Sequence, residues 1–176
     1  MGHPTTAFFL HFAKAVPLPV FVFFGGIVDE VIAFIPSGAI FGAAGIALGY
    51  RGAHLGAILV CIVFAALGKA VGATLWHWAA DKAEDFVTQR WGPKIGLDHA
   101  AVERIGAKLS KKGWRERAIV AALMSVPLLP TAPVSVACGF IKIPRSHFFV
   151  AAFCGFLIRA TIMVVAGFNG FRLVEW

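Results

Sequence analysis

Lys69 lies midway along the apolar run 55–80, and Arg159 midway along 147–171. A cation at the centre of a membrane helix costs roughly 2.5–3.5 kcal/mol on insertion scales. Neither side chain can reach the surface, which lies about 15 Å away. Both must therefore face protein or water rather than lipid. Ala65, Ala66, Gly72 and Ala73 share the helix face of Lys69 and are small, as at a packed interface or cavity wall. Asp29 and Glu30 are the obvious counter-ions. Two chemistries fit: a buried ion pair that orients helices, or an anion site in which Lys69 and Arg159 hold a phosphate and Glu30 or Asp29 acts as a proton or gating carboxylate. Ser37 and Thr131 can satisfy freed backbone groups or touch the substrate. No Ser/His/Asp or paired-acid arrangement suggests catalysis, so an enzyme is not expected. No metal-ligand spacing and no cofactor motif is present.

The elements that position these residues follow from composition. The chain has 176 residues, is 59% hydrophobic and only 14% charged, and has a mean hydropathy of +0.82. A soluble domain of this length cannot bury that much apolar surface, so the sequence is that of an integral membrane protein. The net charge of +7 is concentrated: from Asp81 to Arg117 there are nine Lys/Arg against six acids. The positive-inside rule makes this segment cytoplasmic. Its interspersed acids and apolar flanks argue against a nucleic-acid partner. Cys61, Cys138 and Cys154 all lie in apolar segments and read as buried and unreactive. The chain's start lacks the basic region of a secretory signal and is not expected to be cleaved.

Along the chain, residues 7–28 read as a short interfacial or kinked first helix, interrupted by Lys14, Pro17 and Pro19. Residues 31–50 are uncharged but broken at Pro36. Residues 55–80 form a spanning helix with Trp76 and Trp78 in an interface belt and His77 beside them. The charged segment 81–117 follows. Within it, 98–112 reads as an amphipathic surface helix capped by Asp98, or as a packed extramembrane hairpin. Residues 118–141 are broken by Pro127, Pro130 and Pro133, and 147–171 span again.

The same plan occurs twice. An offset of 94 pairs Pro36 with Pro130, Ser37 with Thr131, Ala43 with Ala137, Gly45 with Gly139 and Arg51 with Arg145. This predicts an internal repeat in which Arg51 and Arg145 mark matching polar hinges. Prolines at mid-span remove donors, and freed backbone is tolerated only inside protein or beside water. Each broken segment is therefore expected to be a re-entrant hairpin of two half-helices, each roughly 15 Å long at about 1.5 Å per residue. One spanning helix between them makes the two repeats inverted. The fold class is all-α: two inverted repeats, each a re-entrant helical hairpin followed by a spanning helix, plus the surface helix. Two ordinary kinked spanning helices are the alternative. Paired interruptions in inverted halves point to a transport site near the midplane.

"GGIVDEVIAFIPSGAIFGAAG" followed by "GWRERAIVAALMSVPLLPTAPVSVACGFIKIPRSHFFVAAFCGFLIRA" resembles the DedA family, also called VTT-domain or SNARE-associated Golgi proteins, over roughly 20–170. The resemblance rests on the acid before an Ile-Pro-Ser break, the Ala-Gly after it, and the second Pro-rich break with "VSVACG". It implies a multi-pass bacterial-type inner-membrane protein that translocates an anionic lipid such as undecaprenyl phosphate or a phospholipid, with proton coupling. Glu30 matches the family's acidic position. Met124 and Pro130 stand where members commonly carry arginines, and Lys69 stands where an acid is often found. Lys69 and Arg159 are expected to supply the missing positive charge. The expected partners are a membrane lipid and protons, and the sequence allows a homo-oligomer. An uncoupled scramblase, a small-ion or proton transporter, and a membrane assembly factor binding through 81–117 are the competing functions.

Overall fold

The computed structural model describes residues 17–32, 37–95, 113–127 and 129–174. All the regular structure among them is helical: α1 (Leu18–Val31), α2 (Ser37–Tyr50), α3 (Leu55–Ile95), α4 (Trp114–Ser125), α5 (Thr131–Phe140) and α6 (Arg145–Val174). Within α3 and α6, the stretches Leu55–Glu84 and Arg145–Gly170 are long and apolar enough to cross a membrane. The order short helix, break, short helix, tight turn, long helix occurs twice.

Several boundaries differ from the sequence reading, each for a local reason. Pro17 and Pro19 do not interrupt a helix; they start α1, where the first-turn N–H groups have no intrahelical partner. The segment expected over 7–28 is therefore α1, and its residues 7–16 lie outside the described residues. Residues 31–50 are not a hairpin in themselves. Val31 ends α1 and 37–50 are one continuous helix, so the interruption falls between α1 and α2. Pro36 lies outside the described residues. Pro133 falls in the first turn of α5 and breaks nothing, which leaves the second interruption at 126–130. The segment expected over 118–141 is thus divided into α4 and α5. The helix expected over 55–80 continues to Ile95, because Ala79, Ala80, Lys82, Ala83 and Glu84 are strong helix formers that carry it past the apolar run. Helix α6 begins at Arg145, just after Pro144. The surface helix expected over 98–112 lies outside the described residues.

The short helices are shared between the halves. Helix α1 packs on α3 and α4 on α6, whereas α2 packs on α6 and α5 on α3; α3 and α6 also touch. Glycines permit the close approaches. A Cβ at Gly45 would meet the backbone of Val164 and Phe168, and one at Gly139 the carbonyl of His77. A Cβ at Gly155 would meet the carbonyl of Ala121. Leu18 and Pro19 of α1 line one cavity with Leu48 at the end of α2. Glu116 at the start of α4 likewise lines a cavity with Ala137 and Cys138 near the end of α5. Each pair of short helices therefore has its outer ends together.

The turns into the long helices match closely. After α2, Gly52 N–H donates to Gly49 O and Ala53 N–H to Leu48 O, both at 3.0 Å. After α5, Lys142 N–H donates to Gly139 O at 3.0 Å and Ile143 N–H to Cys138 O at 3.1 Å. Gly52 (φ 58°) and Lys142 (φ 55°) both take the left-handed conformation that closes such turns. These turns are 90 positions apart, whereas Ser37 and Thr131 are 94 apart, because α2 has 14 residues and α5 has 10. The equivalence of Arg51 with Arg145 is thereby corrected. Arg51 belongs to the turn after α2, while Arg145 opens α6 and matches Leu55 of α3. In this register Lys69 and Arg159 match each other, each the fifteenth residue of its long helix.

Candidate functional site

The buried face of α1 runs through Val22, Gly26, Asp29 and Glu30, at helical spacing, and ends at the first break. Gly26 lets α1 lie against α3 where Ala65 and Lys69 pass: a Cβ there would come within 2.9 Å of Ala65 O and 3.0 Å of Lys69 N. This approach places two carboxylates beside Lys69. Its Nζ lies 2.6 Å from Asp29 Oδ2 and 3.0 Å from Glu30 Oε2. All three residues are at most 4% exposed. The rings of Phe41 (α2) and Phe156 (α6) lie 5.7 and 5.4 Å from the same nitrogen, within cation–π range.

The second break closes on this cluster. Thr131, the first residue of α5, donates its Oγ1 hydrogen to Glu30 Oε2 at 2.7 Å. Ser135 one turn later donates to Thr131 O at 3.1 Å. Trp76, two turns along α3 from Lys69, donates its indole N–H to Glu30 O at 3.0 Å. Arg159 donates to Leu129 O at 3.0 Å and to Pro127 O at 2.7 Å. Its guanidinium thus engages carbonyls that the second break frees. With all four groups ionised, Lys69 and Arg159 balance Asp29 and Glu30, and the centre is neutral. Asp29 Oδ1 and Glu30 Oε1 have no hydrogen-bond partner among the described residues.

The sequence-derived candidates divide accordingly. Lys69, Asp29, Glu30 and Thr131 converge on one point. Arg159 stands at the second break, and Pro130 caps α5 directly before Thr131. Ser37 opens α2 at the first break. Arg51 is exposed in the turn after α2. Arg145 pairs with Asp81 at 3.0 Å at the charged end of α3, where Lys142 also reaches Glu84 at 3.0 Å. Neither Arg51 nor Arg145 joins the centre. The sequence reading missed Trp76, Phe41 and Phe156. Trp76 was detectable, since residues 69, 72, 73 and 76 share a helix face. His77, read as an interfacial residue beside the tryptophans, is 1% exposed and stacked on Phe148 with centroids 4.6 Å apart. Cys61 and Cys138 are buried as expected, while Cys154 is exposed. Among the described residues no group of three His, Cys, Asp or Glu is placed to hold a metal ion.

The VTT domain family matches residues 16–169, which takes in every described helix but the last turn of α6. No curated protein and no solved structure matches the chain.

Proposed function

The chain belongs to the VTT domain family, and from that membership and the buried charge cluster we propose that it is a transporter moving an anionic, phosphate-bearing lipid across the cell membrane, with protons as the coupling ion. In this reading α1–α2 and α4–α5 are re-entrant hairpins entering from opposite faces, and α3 and α6 span. The shared outer ends of each short pair support this, as does the joining of the charged end of α3 to the α5–α6 turn through Asp81–Arg145 and Glu84–Lys142. The basic segment 81–117 then faces the cytoplasm.

The observation that carries the proposal is Lys69 held by two buried carboxylates where the end of α1 meets the start of α5. Fully ionised, the cluster is neutral and offers an anion nothing. Protonating Glu30 or Asp29 removes one of the two counter-ions and leaves the centre with one excess positive charge shared by Lys69 and Arg159, which a lipid phosphate can then neutralise. Backbone N–H groups at the starts of α2 and α5, with Ser37 and Thr131, supply further donors to that phosphate. Releasing the proton restores the ion pair and expels the lipid. Binding of the proton and of the anion are thereby linked.

The neutrality of the cluster favours one competing reading, in which the ion pair only fixes helix positions in an assembly factor. Proteoliposomes carrying a fluorescent anionic phospholipid separate the two. Lipid movement is expected to fall to the protein-free rate in Lys69→Gln and in Arg159→Gln. Glu30→Gln is expected to retain movement but to lose its dependence on a proton gradient. Unchanged rates in folded Lys69→Gln protein would end the transport assignment. Gradient-independent movement in the wild type would make the protein a scramblase.

A further inference from the structure

We propose that the outer end of the α4–α5 pair holds a phospholipid whose head group carries a primary ammonium, with Glu116 as its receptor. Glu116 lies in the first turn of α4, is 6% exposed, and has no hydrogen-bond partner for either carboxylate oxygen among the described residues. It lines a cavity of about 380 Å³, whose other walls are apolar. A buried carboxylate with both oxygens unmatched is costly, and a donor cation is the ligand that removes that cost. The last turn of α5 forms the same wall through Ala137, Cys138 and Ile141, and the negative end of a helix dipole also favours a cation.

The cavity has a direction that selects a lipid over a small amine. From Glu116 its lining passes to Ile119 and then Leu123, about 10 Å nearer the break at about 1.5 Å per residue. Ile119 is 60% and Leu123 40% exposed. The charged end thus lies at the outer end of the pair, and an apolar track runs inward. A head group seated at Glu116 would lay an acyl chain along that track. The ammonium has three N–H donors, enough for both oxygens. The matching position of the first half is Val22, so this site belongs to the second half alone.

The inference rests on the membrane placement of α4–α5 proposed above, but not on transport. Native mass spectrometry of the full-length protein in detergent, with equal amounts of phosphatidylethanolamine and phosphatidylglycerol, tests it. One phosphatidylethanolamine is expected to be retained in about tenfold preference, the ratio that a charged hydrogen bond supplies at its weaker end. Glu116→Gln should bring the ratio to parity and Glu116→Asp should keep it. Val134→Phe, which fills the cavity and leaves Glu116 intact, should lose the retained lipid. Dodecylamine should displace the lipid from the wild type. Equal retention of the two lipids by the wild type, an unchanged preference in Glu116→Gln or Val134→Phe, or failure of dodecylamine to compete would overturn the assignment. None of these readouts depends on lipid movement, so the transport proposal stands or falls separately.

Discussion

Thr131 and Glu30, 101 residues apart in the chain, are joined by a 2.7 Å hydrogen bond that ties the start of α5 to the end of α1. Through it the end of α1 and the start of α5 share one buried carboxylate, which also faces Lys69. Thr131→Val keeps the shape and removes the donor. A hydrogen bond to a charged group contributes about 1.5–3 kcal/mol. Thermal unfolding in detergent should fall by several degrees for Thr131→Val and by much less for Thr131→Ser. An identical loss in both variants would mean that the hydroxyl is not the stabilising group.

Lys69→Met leaves Asp29 and Glu30 as adjacent buried acids. Breaking a buried pair this way costs about 3–5 kcal/mol, while replacing every partner by a neutral group is close to neutral. The triple variant Asp29→Asn, Glu30→Gln, Lys69→Met should therefore be more stable than Lys69→Met alone. Unfolding midpoints of the two proteins measure this coupling, and additive losses would contradict it.

Glycine positions with and without room give opposite predictions. Gly139→Ala and Gly155→Ala push a methyl into the carbonyls of His77 and Ala121, and each should destabilise by about 1–3 kcal/mol. Gly42→Ala and Gly170→Ala meet open space and should be neutral or gain up to about 1 kcal/mol of helix propensity. Unfolding midpoints for the four variants decide the order.

Lys142 takes a conformation that Gly52 takes in the first half, and its side chain reaches the fully buried Glu84. Lys142→Gly and Lys142→Ala both lose the ion pair, but only Ala keeps the left-handed backbone cost of about 1–2 kcal/mol. Lys142→Ala should therefore unfold at the lower temperature. Equal midpoints would show that the turn carries no strain.

The proposed entry of the two hairpins from opposite faces predicts opposite sidedness for the two tight turns. In a variant lacking Cys61, Cys138 and Cys154, a cysteine at His54 and one at Arg145 should react with an impermeant maleimide from opposite faces of the membrane. Labelling of both from one face would replace the hairpins with conventional crossings.

Composition, hydropathy and the placement of prolines suffice to determine an apolar helical chain with two interrupted stretches, two spanning helices and a pair of cations that lipid would not tolerate. These features are legible because each follows from local chemistry: a missing N–H, a run of apolar side chains, a charge within it. The candidate counter-ions were legible too, since few acids lie near apolar segments. Which arm packs on which long helix was not legible, because glycine contacts such as Gly45 on Val164 join residues more than a hundred positions apart. The register of the repeat was also hidden. A single offset of 94 aligns the breaks, but α5 is about one turn shorter than α2, and only the folded turns show that Lys69 and Arg159 match. The tertiary structure alone decided that Lys69 faces Asp29, Glu30 and Phe41 while Arg159 engages the carbonyls of a break. That assignment depends on distances between separate helices, which no local pattern encodes.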